Sequence, residues 1–237
     1  MSQTISNRPT NRLVVAIDGP AGAGKSTAAR MLAERLSYDL LDTGAIYRTL
    51  ALLASRQAIA WDDGPRVAAL AVGLDIKFRL QEGTNHVFVN GSDVSDEIRT
   101  SEISDGASRV SALPEVRTAL LDLQRRLGAA GGVVVEGRDI GTVVFPRAEL
   151  KFYLTATVQE RARRRTAELR AGGRTTDEHA VLLDIEARDL RDTTRAVAPL
   201  RAADDAIEID SSGLTAVQVV ERMSRLVEGK ARGSQVP

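Results

Sequence analysis

From Gly19 to Ser26 the chain reads Gly-Pro-Ala-Gly-Ala-Gly-Lys-Ser, and the apolar run Leu13-Val14-Val15-Ala16-Ile17 leads into it. The pattern G-x-x-x-x-G-K-[ST] calls for a strand in front, a tight loop, and a helix behind. Glycines reach backbone angles closed to other residues and let the main chain approach phosphate oxygens. Successive N–H groups then form an anion-binding nest at the start of the helix. Behind the loop, Thr27 to Leu36 carries Ala28, Met31, Leu32 and Leu36 at helical spacing. A glycine-rich structural turn would not need Lys-Ser directly after its last glycine. Gly19, Pro20, Ala21, Gly22, Ala23, Gly24, Lys25, Ser26 and Thr27 are therefore read as the cradle of a nucleoside triphosphate. Lys25 reaches the β- and γ-phosphates, and the Ser26 hydroxyl is placed to ligate Mg²⁺. Asp18 either organises that ion through water or is a strand-terminal structural aspartate.

Five short apolar runs, 13–17, 38–41, 132–135, 149–154 and 206–209, alternate with helical patterns. That order predicts an α/β fold of three layers, a five-stranded parallel sheet covered on both faces. Right-handed crossovers bring the ends of the first and third strands to one crevice. Residues 75–80 alternate polar and apolar, 81–85 read as a turn, and 86–90 read as a second strand ending at Asn90-Gly91. A small antiparallel insertion at about 74–95, on the acceptor side, is expected. With 237 residues the chain suits one sizeable domain, and residues 1–12 and 229–237 are expected to be disordered tails.

Thirty-two basic residues balance 32 acidic ones, so charge gives no push toward nucleic acid or an anionic membrane. The absence of cysteine excludes disulfides and thiolate chemistry, and His86 and His179 are too few for a histidine metal cluster. No apolar run approaches the ~20 residues of a membrane span, and the first twelve residues lack the apolar centre of a secretory signal. A cytoplasmic protein is expected.

The acceptor side is written in arginines. The third strand runs into Glu136-Gly137-Arg138-Asp139-Ile140-Gly141, and the second into Asp42-Thr43-Gly44-Ala45-Ile46-Tyr47-Arg48, with Thr43 placed as an N-cap. Arg161, Arg164 and Arg165 fall on one helix face, and Arg188, Arg191 and Arg195 recur in a similar way. Each run alone reads first as a solvated helix face with acidic neighbours. Beside a phosphate loop they form an electrostatic clamp for two polyanions, since guanidinium matches phosphate bidentately. An acceptor that is itself a phosphate supplies its own nucleophile, so no general base is required. No Asn-Lys-x-Asp run reads guanine, which weakens a GTPase reading. Kinases for other anionic metabolites (UMP, AMP, shikimate) and an ATP-switched regulatory module remain open on these motifs.

Four stretches, Ile17–Ser26, Leu41–Arg48, Glu136–Pro146 and Thr194–Leu200, together resemble the bacterial cytidylate kinase family across about 13–228. The resemblance implies a nucleoside-monophosphate-kinase fold with a core, an acceptor domain enlarged by the insertion, and a helical lid at about 161–180. It implies Mg²⁺-dependent transfer of the ATP γ-phosphate to CMP or dCMP, in line and without a general base, by a monomer. Carried over by motif, Arg48, Arg138 and Arg195 hold the acceptor phosphate, and Thr43 and Tyr47 line its pocket. Asp139 accepts from the cytosine amino group, Ser108 and Arg117 donate to its acceptor edge, and Arg188 and Asp192 contact the sugar. Arg161, Arg164 and Arg165 close over the donor phosphates, with Gly172-Gly173 as hinge and helix end.

Overall fold

In chain order the secondary structure runs β1 (Val14–Asp18), α1 (Lys25–Leu36), β2 (Asp39–Asp42), α2 (Thr43–Arg56), α3 (Gly64–Ala69), β3 (Ile76–Gln81), β4 (Thr84–Val89), β5 (Ser92–Asp93), α4 (Ser101–Val110), α5 (Pro114–Gly128), β6 (Val133–Gly137), β7 (Leu150–Thr155), α6 (Val158–Ala171), α7 (Glu178–Thr194), β8 (Ile207–Asp210) and α8 (Ala216–Gly233). A π-helical turn at Ile140–Val144 follows β6. This computed structural model describes residues 12–81 and 83–233. The expected tails fall largely outside that range, at 1–11 and 234–237. Residues 229–233, expected as tail, instead continue α8, because Val227 and its neighbours pack that helix on the core.

Five parallel strands form the main sheet in the order β2-β6-β1-β7-β8. Each predicted strand is present, displaced by about one residue toward its C-terminal end. Residues in the middle of β6 show why the sheet is covered on both faces. Val133 and Val135 enter the core under α2, α4 and α5, whereas Val134 enters the opposite core with Val15, Ile17, and Met223 of α8. That alternation follows from the two-residue period of a strand.

The chain leaves β1 for the sheet edge at β2, returns through β6 beside β1, and then crosses to β7 and β8. Its direction reverses at β1, and such a reversal opens a crevice at the carboxyl ends of the strands. Register places the chemistry there: Ile17 lies opposite Glu136, Asp18 opposite Gly137, and Asp42 opposite Glu136 on the other side. The antiparallel β3-β4-β5 sheet is the predicted insertion. Its inward residues Ile76, Val87, Val89 and Val94 join the core of α2 and α5, so it has no core of its own. Helices α6 and α7 form a hairpin around a small separate cluster of Ala162, Val181 and Ile185.

Candidate active site

The phosphate loop is held from below and left open above. Gly19 has φ 150°, and a Cβ there would lie 1.9 Å from the Leu154 carbonyl oxygen, so only glycine fits. Gly24 caps α1 in the left-handed region (φ 88°) and offers no side-chain acceptor. The first amides of α1 thus lack a side-chain cap, the condition in which a helix N-terminus receives an anion. Lys25 is buried and donates from Nζ to the Pro20 carbonyl at 2.7 Å, which folds its ammonium back over the loop. Burial, and then the charge of Arg138, push its pKa down.

Ser26 Oγ donates to Glu136 Oε2 at 2.9 Å. Glu136 is the residue that the motif reading left without a role; its signal is a lone carboxylate at the end of the apolar strand β6. Burial, and then the nearby Asp42, raise its pKa. A hydroxyl and a carboxylate facing each other are hard oxygen donors, which suits Mg²⁺. Asp18 is committed elsewhere: its two oxygens accept from the Ile140 and Gly141 amides at 2.8 and 2.7 Å. Burial raises its pKa to about 6 against the lowering effect of those two bonds.

Thr43 is not the N-cap of α2. Asp42 takes that position, accepting from the Ala45 amide at 2.8 Å. Thr43 becomes the first helical residue, and its hydroxyl donates to the Glu136 carbonyl at 2.7 Å. The reason is register: Asp42 is still the last paired residue of β2, and its side chain reaches both the helix and Arg48 Nη2 at 2.6 Å.

One cavity of about 680 Å³ joins the loop to the arginines. Lys25, Ser26 and Thr27 border it, as do Thr43, Tyr47, Arg48, Ser108, Arg117, Arg138, Asp139, Arg164, Arg165, Arg188, Asp192 and Arg195. Asp139 sits on its floor between two guanidiniums, bonded to Arg117 Nη2 and to Arg195 Nη2 at 3.1 Å, all three residues buried. Arg138 Nε donates to Asp192 Oδ2 at 2.8 Å. Burial works to raise Asp192, but Arg138 beside it, with Arg195 and Arg188, brings its carboxyl below the usual range. Burial and the neighbouring Arg138 lower Arg188. The Ser108 hydroxyl and Arg48 Nε are buried without a hydrogen-bond partner. Both belong to residues on the cavity wall.

The three arginines of α6 are not placed alike. Arg161 is turned inward, donating from Nε to the Ala156 carbonyl and from Nη1 to the Ala21 carbonyl and to Asp189 Oδ2 at 2.5 Å. It does not border the cavity, because α6 lies against the loop so closely that a Cβ on Gly22 would be 3.0 Å from Arg161 Cβ. Arg164 and Arg165 do border it. Arg164 bonds Glu160 and Ser211, and Arg165 bonds Glu168 at 2.6 Å. Gly172 ends α6, and Gly173 follows with φ 77° and open space around it.

A parallel sheet with its phosphate loop at the switch point, facing a cavity lined by arginines, is the arrangement of a phosphate-loop kinase. The chain belongs to the cytidylate kinase family, whose model matches residues 15–229. It is 52% identical over 216 residues to the cytidylate kinase of Syntrophotalea carbinolica, covering 91% of this chain and 92% of that one. Its identity to the Geobacter sulfurreducens cytidylate kinase is 50% over 222 residues, covering 94% and 95%. An uncharacterized protein from Eubacterium ventriosum shares the fold, with TM-score 0.52, 12% identity, and coverage of 92% and 99%. ATP is the phosphoryl donor that membership implies, and no helix among the described residues is long and apolar enough to cross a membrane.

Proposed function

We propose that the acceptor is CMP or dCMP and that catalysis is positioning and charge neutralisation, with no general base. The observation that carries this reading is Asp139, a buried carboxylate on the floor of the cavity that opens onto the phosphate loop. Held between Arg117 and Arg195, it keeps lone pairs for the N4 amino group of cytosine. Arg117 and the unpartnered Ser108 hydroxyl would donate to N3 and O2. Uracil reverses the polarity at positions 3 and 4, and a polar site rejects such an analogue by about 10⁴.

Arg48, Arg138 and Arg195 would hold the acceptor phosphate, with Thr43 and Tyr47 beside it, and Arg188 and Asp192 would meet the sugar. A phosphate oxygen of the acceptor is the nucleophile. It attacks the γ-phosphorus as the bond to the β-bridging oxygen breaks, and ADP leaves. Lys25 and the loop amides stabilise charge on the transferring group, while Arg164 and Arg165 approach it from α6. Ser26 and Glu136 would hold Mg²⁺, which when bound neutralises charge on the β- and γ-phosphates. Closure of the α6–α7 hairpin excludes water that would otherwise hydrolyse ATP.

The test is ADP release from Mg·ATP with CMP, dCMP, UMP, AMP, GMP and shikimate as separate acceptors. Stimulation confined to CMP and dCMP is expected. Preference for another acceptor would discard the roles given to Ser108, Arg117 and Asp139.

A further inference from the structure

We infer that Asp18 and Arg125 are positioning residues that clamp the π-helical turn Ile140–Val144 at its two ends, and thereby set Arg138 and Asp139 in register with the phosphate loop. Three observations meet here. A π-helical turn is uncommon and is not stable by its own propensity, so something must hold it. Its first residues donate their amides, Ile140 at 2.8 Å and Gly141 at 2.7 Å, to the two oxygens of Asp18. Its last carbonyls accept from Arg125: Val144 from Nε and Val143 from Nη2, both at 3.1 Å. Asp139, which occupies the N-cap position, supplies no side-chain cap, since its carboxylate is turned to the two arginines.

Each clamp comes from an element with a second duty. Asp18 ends β1, directly before Gly19 of the phosphate loop, so its bonds tie the donor side to the turn. Arg125 lies on α5, the same helix that carries Arg117 to Asp139. Close packing keeps both contacts short. A Cβ on Gly141 would come within 3.0 Å of Lys151 Cδ, and one on Gly128 within 2.6 Å of the Phe145 ring. Lys151 also donates to the Pro146 carbonyl at 2.7 Å, just past the turn. Asp18 thus serves as a strut between the two halves of the site.

The inference rests on Asp139 as the reader of the base, so the experiment separates the two. Arg125 is exposed, which makes Arg125→Ala and Arg125→Lys variants that keep the fold. Kinetics would be measured for these, for Asp18→Asn and for Asp139→Asn, with amide exchange of Ile140 and Gly141 followed by NMR. Arg125→Ala is expected to speed exchange at Ile140 and Gly141, at the far end of the turn. It should also lower the CMP-over-UMP ratio of kcat/KM by about tenfold, as small misplacements do, with KM for ATP nearly unchanged. Arg125→Lys restores part of the effect. Asp18→Asn gives the same acceptor signature without moving the Mg²⁺ half-saturation point.

Unchanged exchange at Ile140 and Gly141 in Arg125→Ala overturns the clamp, whatever Asp139 does. A raised Mg²⁺ requirement in Asp18→Asn with intact discrimination overturns the role given to Asp18. Intact discrimination in Asp139→Asn removes the base-reading assignment instead, and the exchange data then judge the clamp alone.

Discussion

Lys25 shows how much one side chain carries at this site. Its ammonium is buried over the loop and meets the Pro20 carbonyl, so no other group of the loop can supply a positive charge at the same place. Lys25→Met, which keeps the volume and removes the charge, is expected to lower kcat about 10³-fold while circular dichroism stays unchanged. Normal turnover in that variant would remove Lys25 from charge stabilisation. Asp139→Ala should do two kinds of damage. It leaves Arg117 and Arg195 buried without their carboxylate, an imbalance that costs about 3–5 kcal/mol, and it should abolish the preference for CMP over UMP. Chemical denaturation and the acceptor panel measure the two effects separately. Residue identity was the legible part at this scale. Which contacts each residue makes was not, since the N-cap expected of Thr43 falls to Asp42 through a strand register that local pattern does not encode.

Among the elements, α6 depends on a carboxylate at its start. Glu160 bonds both Arg163 and Arg164, and those hydrogen bonds, Arg163 first, lower its pKa from the usual 4.5 to about 2. A carboxyl lowered on folding contributes stability that is present above about pH 4.5 and is lost as pH falls toward 2. The pairs are partly exposed, so that contribution is small. Its functional reading is sharper: carboxyl NMR of Glu160 should titrate near 2, and Glu160→Gln should loosen Arg164 and raise KM for ATP more than KM for CMP. An equal rise in both would detach Arg164 from the donor side. Elsewhere, α4 meets Trp61 at Gly106, where a Cβ would lie 2.5 Å from the indole. Gly106→Ala is therefore expected to destabilise the protein by about 1–3 kcal/mol, read as a lower melting temperature. Helical spacing put Arg161, Arg164 and Arg165 on one face; packing of α6 against the loop then turned Arg161 away from the cavity.

Across the whole molecule, the α6–α7 hairpin is the part expected to close over the proposed site. Its own cluster is three residues, and it touches α4 across the cavity mouth through Arg191 to Asp105 at 3.1 Å and Arg174 to Ser101. The first of these contacts is half-buried and the second exposed, and polar contacts so open to water contribute little to stability. Hydrogen exchange over residues 158–194 should slow when ATP and CMP are bound together, and more than with either alone. Equal protection by ATP alone would mean that closure does not sense the acceptor.

The phosphate loop, the alternating elements and the family motifs are legible in the bare chain, because each depends on residue type at short spacing. Glycine at φ values others avoid, apolar strands, and Lys-Ser after the last glycine are local requirements. Folding brings Glu136 to Ser26, carries Asp18 across 122 residues to the Ile140 amide, and faces Arg161 to the loop backbone. Those pairings follow from strand order, register and helix packing, which bring distant residues within hydrogen-bond reach and which no window of sequence contains.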